Sequence, residues 1–395
     1  MSNILVITDR IPPEHSATGR FMYHIANELG KNGKVYLVCL SDTKNQTDSN
    51  VKVIKVLSRY GKYKLLTEKA ENKKNIAKIF YKIWYHVYYK YAVKKGLSEI
   101  ADHKKQILKI CKKTIKTCKI DIIISSSNPF ENHVVAYKLV KKFKRIKWFP
   151  YLMDSARNNA VKPVSRDTEL NVFSLATNIL IVPAITFDQG FIKDFSDKIQ
   201  LVYLPIIPVK RVGVKRNDDK IVFIYAGMFY KEIRNPENLF KIFTLLPSNY
   251  ELHLYCNGCN DETERYKAVL GSRLRVSGFI SEEELTEKIN GCDILINVCN
   301  SVINQIASKI YDMIAYGKPL LNFYQDDKDL TIEHVNKYEL SFNAEYSSSD
   351  NNIKKIIDWC ELVKGKECSY NEATKSIPDK RLSEIVAKIN KIINV

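Results

Sequence analysis

The sequence predicts an α/β chain of two doubly wound, Rossmann-like domains that face each other across a cleft. Short apolar runs of strand length alternate with amphipathic helical stretches through both halves of the chain. The alternation is interrupted by the polar, proline-bearing stretch 205–219, which reads as an interdomain linker. At 395 residues the chain can bury two cores of ordinary size. The expected domains are therefore 1–205 and 206–375, with a terminal helix over 376–395 returning to the first.

The elements follow in order. Ile4–Thr8 is a buried strand, the polar loop after it ends at Gly19-Arg20, and a helix over Phe21–Gly30 carries Phe21, Ile25, Ala26 and Leu29 on one face. Val35–Leu40 completes a βαβ opening. After the basic stretch 59–119 come a strand at Asp121–Ser125, a helix over Val134–Phe143, and strands at Trp148–Leu152, Ile179–Val182 and Ile199–Leu204. The second half restarts with a strand at Ile221–Ala226. A helix over Glu237–Leu245 and strands at Glu251–Tyr255 and Arg275–Phe279 follow, then a helix over Glu282–Ile289 and a strand at Ile294–Val298. Ligands of such sheets lie beyond the carboxyl ends of the strands.

Composition excludes several classes. The start of the chain runs straight into an apolar strand with no basic flank or cleavage site, and no apolar run is long enough to span a bilayer. Nine cysteines in such a chain point to reduced thiols and a cytoplasmic location. Cys256-Asn-Gly-Cys259 has no second cysteine pair at zinc-ribbon spacing, so a turn with incidental thiols is expected and no metal site. The first loop lacks the G-x-G-x-x-G spacing of dinucleotide binders.

The segment from Asn304 to Pro319 carries the most chemistry. Ser308 is an N-cap candidate, Ile310, Met313 and Ile314 follow at helical spacing, Gly317 suits the left-handed C′ position, and Pro319 stops the helix. A helix opening off such a loop offers free N–H groups and a positive dipole end to a phosphate or diphosphate. Lys309 adds a charge in the first turn, and Asp312 could accept two hydrogen bonds from a ribose diol. Taken alone, the same segment also fits a capped surface helix of any α/β protein.

This pattern resembles the nucleotide-sugar signature of GT-B glycosyltransferases of family four, which reads Glu, seven residues, Glu, then small-x-Gly-x-Pro. Asp312 falls on the second Glu, Gly317 and Pro319 on the Gly and Pro, and Asn304 on the first Glu. The resemblance implies that Asp312 holds the donor ribose and that Asn304 contacts the transferred sugar. Asp for Glu keeps the charge, whereas Asn for Glu loses it but keeps an acceptor and gains donors. Pro12-Pro13, a polar stretch and Gly19-Arg20 resemble the family's N-terminal loop, close to acceptor and donor phosphate. Gly227 begins a loop whose basic residues grip the diphosphate in the family. Arg234 matches the second of them, while Met228 replaces the first and leaves Lys231 as the substitute. His133 and Asp154, each beyond a strand's carboxyl end, are candidates to contact acceptor or sugar, and with Asn304 form the expected catalytic set.

The resemblance covers most of the chain outside the basic insertion. It implies a GT-B fold of the bacterial surface-polysaccharide type and retaining, hexosyltransferase-like transfer from a nucleotide sugar to a hydroxyl acceptor. That acceptor would be a lipid-linked or polysaccharide precursor, and no metal or cofactor is implied beyond the donor. A GT-B sugar-nucleotide epimerase and a non-catalytic nucleotide-sugar or membrane-binding relative are the alternatives.

The formal charge of +18 is concentrated. Residues 59–119 hold 18 Lys and Arg against Glu68, Glu71, Glu99 and Asp102. Within them Ile76, Phe80, Ile83, Trp84, Val87 and Tyr91 share one helical face and Lys74, Lys78 and Lys82 another. A basic, aromatic-rich amphipathic helix suits an anionic membrane surface, so the expected location is peripheral, on the inner face of the membrane. A core-facing helix with solvated lysines is the plainer reading. No helix-turn-helix, zinc finger or aromatic sheet platform accompanies the charge, which argues against nucleic acid.

Overall fold

Parallel strands covered by helices on both faces read as continuous apolar runs, and the runs in this chain assemble in that way. A computed structural model describes all residues except 1, 15, 44–49, 63, 64, 66–78, 80–82, 85, 88–90, 92–98, 128, 158–162, 184, 186, 187, 210, 212–217, 302–308 and 395, and the side chains of 99–102. The chain forms two compact units, Met1–Pro205 with Leu382–Val395, and Ile206–Arg381.

In the first unit the strands are β1 (Ile4–Ile7), β2 (Val35–Ser41), β3 (Lys52–Leu57), β4 (Ile122–Ser126), β5 (Lys147–Leu152), β6 (Ile179–Ile181) and β7 (Ile199–Leu201). They pair in parallel in the order β3-β2-β1-β4-β5-β6-β7. Helices α1 (Ala17–Gly30), α2 (Glu99–Cys118), α3 (Glu131–Lys142), α4 (Arg166–Phe173) and α5 (Gln189–Phe195) lie between them in sequence. Helix α1 starts earlier than the apolar spacing predicts. The Ser16 side chain caps it by accepting from Gly19 N, so Gly19 and Arg20 lie in its first turn and not in the preceding loop. Gly19 is required there, because a Cβ would sit 1.6 Å from the Arg10 carbonyl oxygen.

The second unit repeats the plan with β8 (Ile221–Met228), β9 (Tyr250–Asn257), β10 (Leu274–Ser277), β11 (Ile294–Val298), β12 (Leu320–Tyr324) and β13 (Ser341–Glu345). Their parallel order is β10-β9-β8-β11-β12-β13. Helices α6 (Glu237–Leu245), α7 (Asn260–Leu270), α8 (Glu282–Asn290), α9 (Lys309–Ala315), α10 (Leu330–Asn336), α11 (Asp350–Val363) and α12 (Tyr370–Ala373) accompany them. Two cores form on opposite faces of this sheet. Phe223, Tyr225, Phe240, Phe243 and Leu252 pack in one, and Val222, Ile224, Leu295, Ile310 and Ile314 in the other. Gly317 takes φ +65° after α9, and a Cβ there would meet the Cys368 carbonyl at 1.9 Å, so both backbone and space call for glycine.

The second unit runs on to Arg381, beyond the expected boundary at 375. Ala373 and Ile377 belong to its core, and Arg381 bridges to Ile206. The last helix, α13 (Leu382–Ile393), belongs to the first unit and packs on α1. It buries Leu382, Ile385, Val386, Ile389 and Ile393. At about 1.5–3 kcal/mol for each buried aliphatic side chain, that face is enough to hold the helix in place. In each sheet the order in which strands are added reverses at one point, between β1 and β4 and between β8 and β11. The carboxyl ends of those strands are where a ligand has room.

Candidate functional site

At the second of these points the carboxyl ends of β8 and β11 assemble a cationic cluster. The Tyr225 ring stacks on Phe229, with centroids 4.4 Å apart. Its hydroxyl donates to the Met228 carbonyl at 3.0 Å and accepts from Arg234 Nη1 at 3.3 Å. Arg234 Nη2 donates to Asn300 Oδ1 at 2.6 Å, just beyond the end of β11. Gln325 ties the two loops together, donating to the Ile233 carbonyl at 3.1 Å and the Cys299 carbonyl at 2.8 Å. The guanidinium is thus held in one orientation, while its buried Nε has no partner.

Lys309 opens α9, and its Nζ donates to the Ala226 carbonyl at 3.3 Å. A Cβ on Gly227 would come within 2.8 Å of that Nζ, so a larger residue there would make the ammonium shift from the strand end. Desolvation, and then the charge of Arg234, lower the Lys309 pKa, while Asp312 opposes them. The two cations therefore repel each other, and an anion between them would relieve that repulsion. Burial pushes the Tyr225 phenol up to about 12, so it stays a neutral hydrogen-bonding prop.

The expected residues therefore separate. Gly227, Arg234 and Lys309 come together, and Asp312, one turn along α9, acts on Lys309. Lys231 is exposed in the same loop as Arg234. Asn304 and Ser308 lie outside the described residues. Tyr225, Asn300 and Gln325 were not foreseen. Asn300 could have been, since it follows a predicted strand end in the second domain.

In the first unit Asp154 stands exposed just past β5. Arg157, three residues on, is clamped by Glu169 and by Asp194, whose Oδ2 accepts from Arg157 Nη2 at 2.6 Å. Asp194 also accepts from Arg166 at 2.6 Å. His133 corrects an expectation. It is 0% exposed, so it presents no surface to a substrate in this conformation. Trp148 Nε1 donates to Ser125 Oγ at 2.9 Å, leaving the Ser125 hydroxyl to donate to His133 Nδ1 at 2.8 Å. Phe130 and Phe173 flank the ring edge-on, and burial lowers its pKa to about 3. Its observed place is a neutral tie between β4, α3 and β5.

Among the described residues no group of three His, Cys, Asp or Glu is arranged to hold a metal ion. Burial pushes the Cys256 thiol up to about 11 and raises Cys259 as well, so neither is a ready thiolate.

No protein-family model and no curated protein sequence matches the chain. Solved structures do. The apo form of the lipopolysaccharide outer core galactosyltransferase WaaB aligns over 99% of both chains at 14% identity and a TM-score of 0.54. HepE of Anabaena, in complex with UDP and glucose, aligns over 99% of both at 12% identity and 0.57. Sucrose-phosphate synthase of Thermosynechococcus elongatus aligns over 99% of this chain and 98% of its own, at 11% identity and 0.60. The fold is GT-B. At these identities the likeness establishes the architecture, and chemistry has to be argued from the site.

Proposed function

We propose that the chain is a retaining glycosyltransferase that moves a sugar from a nucleotide diphosphate donor to a hydroxyl acceptor, a lipid-linked or polysaccharide precursor. The observation that carries the reading is the Arg234–Lys309 pair, held over the carboxyl ends of β8 and β11 by Tyr225, Asn300 and Ala226. A diphosphate would satisfy both cations, and the resemblance places Asp312 on the ribose and Asn304 on the sugar. HepE, on the same fold, is described with UDP-glucose.

In the reaction the bond from sugar C1 to the phosphate oxygen breaks, and its electron pair leaves with the diphosphate. The acceptor oxygen bonds to C1 on the same face, and its proton passes to the departing phosphate oxygen, so no separate protein base is needed. Arg234 and Lys309 stabilise the charge that grows on the leaving group, without a metal. Asp154 would meet the acceptor or the transferred sugar.

The membrane reading draws support from the described part of the insertion. Ile79, Ile83, Trp84, Val87 and Tyr91 are between 49% and 63% exposed, which does not fit a core-facing helix. Helices α2 and α3 pack together, and each carries exposed lysines, Lys109, Lys113 and Lys116 on α2 and Lys138, Lys141 and Lys142 on α3. Among the described residues no helix is long and apolar enough to cross a membrane. A peripheral place on an anionic, cytoplasmic membrane face accounts for both features.

The test is mass spectrometry of products from a panel of sugar nucleotides, with and without a lipid acceptor. Glycosylated acceptor with the anomeric configuration retained supports the proposal. Altered nucleotide sugar or free product without acceptor would move the assignment to an epimerase. No turnover despite tight nucleotide binding would make the chain a binding relative.

A further inference from the structure

Lys380 is 3% exposed, at the end of the second unit. Its Nζ donates to the Tyr311 hydroxyl at 2.6 Å and to His334 Nδ1 at 2.9 Å, and lies 4.3 Å from the centre of the Tyr311 ring. The Tyr311 hydroxyl is itself 3.0 Å from His334 Nδ1, so the three groups close a triangle. The lysine backbone is fixed, because its carbonyl accepts from Ile206 N at 2.7 Å. Arg381 beside it is tied to Thr374 Oγ1 and the Asn371 carbonyl, each at 2.8 Å. Tyr311 sits on α9 between Lys309 and Asp312, while Ile310, Met313 and Ile314 of that helix face the core. Tyr311 also packs partly against that core, and through its hydroxyl the polar triangle ties α9, between Lys309 and Asp312, to Lys380 and to His334 of α10.

We infer that Lys380 is a positioning residue of the nucleotide site, acting through Tyr311 and His334 on the seating of α9, and that its protonation makes nucleotide binding depend on pH. The inference rests on the donor-site reading above. Burial is the main reason the Lys380 pKa falls to about 8, with Asp379 and Glu333 raising it and Lys337 lowering it. Burial first, then the Lys380 charge, takes His334 down to about 4, so its Nδ1 is an acceptor throughout the neutral range. Below pH 8 the ammonium makes two charge-assisted hydrogen bonds and a cation–π contact, and above it these become weaker neutral contacts. Folding follows the opposite sign. A lysine whose pKa is lowered in the fold adds stability as pH rises from 8 towards 10.5, so this group does not unfold the protein where it loosens α9.

The test is calorimetric titration of the full chain with UDP, GDP and ADP at pH 7 and pH 9.5. The tightest ligand should bind severalfold more weakly at the higher pH, with an upper bound of roughly tenfold set by the weakening of a charge-assisted hydrogen bond within the triangle. Lys380→Met should bind at pH 7 as weakly as the wild type does at pH 9.5, with no further step. Tyr311→Phe, which keeps the lysine but removes its acceptor, should flatten the step as well. A step that persists unchanged in folded Lys380→Met would overturn the inference and assign the titration to Lys309, or to the ligand's own base if it appears with UDP and GDP but not with ADP. A wild-type affinity that stays level across this range would also overturn it. Failure of the wild type to bind any of the three at pH 7 would remove the site itself.

Discussion

Glu169 is 0% exposed, and its Oε2 takes the Arg157 guanidinium while Oε1 has no partner. Burial outweighs the attraction of Arg157 and raises its pKa from 4.5 to about 7. A carboxyl raised in the fold is protonated there when the unfolded chain is already ionised. This group therefore contributes most below pH 4.5, and its contribution is lost as pH climbs from 4.5 to 7. At about 1.4 kcal/mol per unit the loss is about 3.5 kcal/mol in all, of which about 2.5 kcal/mol falls between pH 5 and pH 8. For a unit of this size the latter corresponds to roughly 5–10 °C in melting temperature. Glu169→Gln has nearly the shape and hydrogen-bonding of the protonated acid and cannot ionise. The gap between the melting temperatures of wild type and variant should therefore shift by that amount, in the variant's favour, between pH 5 and pH 8. Scanning calorimetry at the two pH values reads it directly. A gap that does not change with pH would refute the reasoning and mean that Arg157 keeps Glu169 ionised. The consequence reaches the site, because Arg157 anchors the chain that follows Asp154.

Three further predictions concern binding. Asp312→Asn should weaken nucleotide-sugar affinity by about 1–3 kcal/mol in calorimetry, the cost of losing a charged hydrogen-bond acceptor, and unchanged affinity would remove Asp312 from the ribose. Gly227→Ala should leave the fold intact but push Lys309 Nζ off the strand end, since the added methyl comes within 2.8 Å of it. Nucleotide affinity should then fall by roughly tenfold, as expected when one charge-assisted hydrogen bond to the ligand is broken, and wild-type affinity would show that Lys309 does not grip the ligand. Lys74, Lys78 and Lys82 changed together to Glu should lower co-sedimentation with anionic vesicles at low salt by roughly 1 kcal/mol per lysine reversed or more. Equal pelleting of both proteins would leave the segment without a membrane role.

Much of the fold was legible because strands buried on both faces, such as Ile4–Ile7 and Ile294–Val298, leave an apolar run that little else imitates. The edge strand β3 was missed, because Lys-Val-Ile-Lys-Val-Leu alternates with solvent and carries no such run. The start of α1 was placed late because the cap is Ser16, while the apolar spacing begins only at Phe21. Arg234 and Lys309 could be named from residue type and resemblance. The Arg234–Asn300 bond joins positions 66 apart in sequence, and only the adjacency of β8 and β11 brings them together. His133 shows the converse limit. A histidine near a strand end looks available in one dimension, and its burial against Phe173 depends on how α4 packs.

The measurement that bears most directly on the central claim is steady-state turnover of Arg234→Ala with whichever sugar nucleotide the wild type accepts. If the Arg234–Lys309 pair stabilises a departing diphosphate, charge on that group grows as the bond breaks, and the loss should fall mainly on kcat. A fall of roughly a hundredfold or more in kcat, with KM changed by much less, is the expected result. Full turnover by a folded Arg234→Ala protein would contradict the account and place the diphosphate elsewhere.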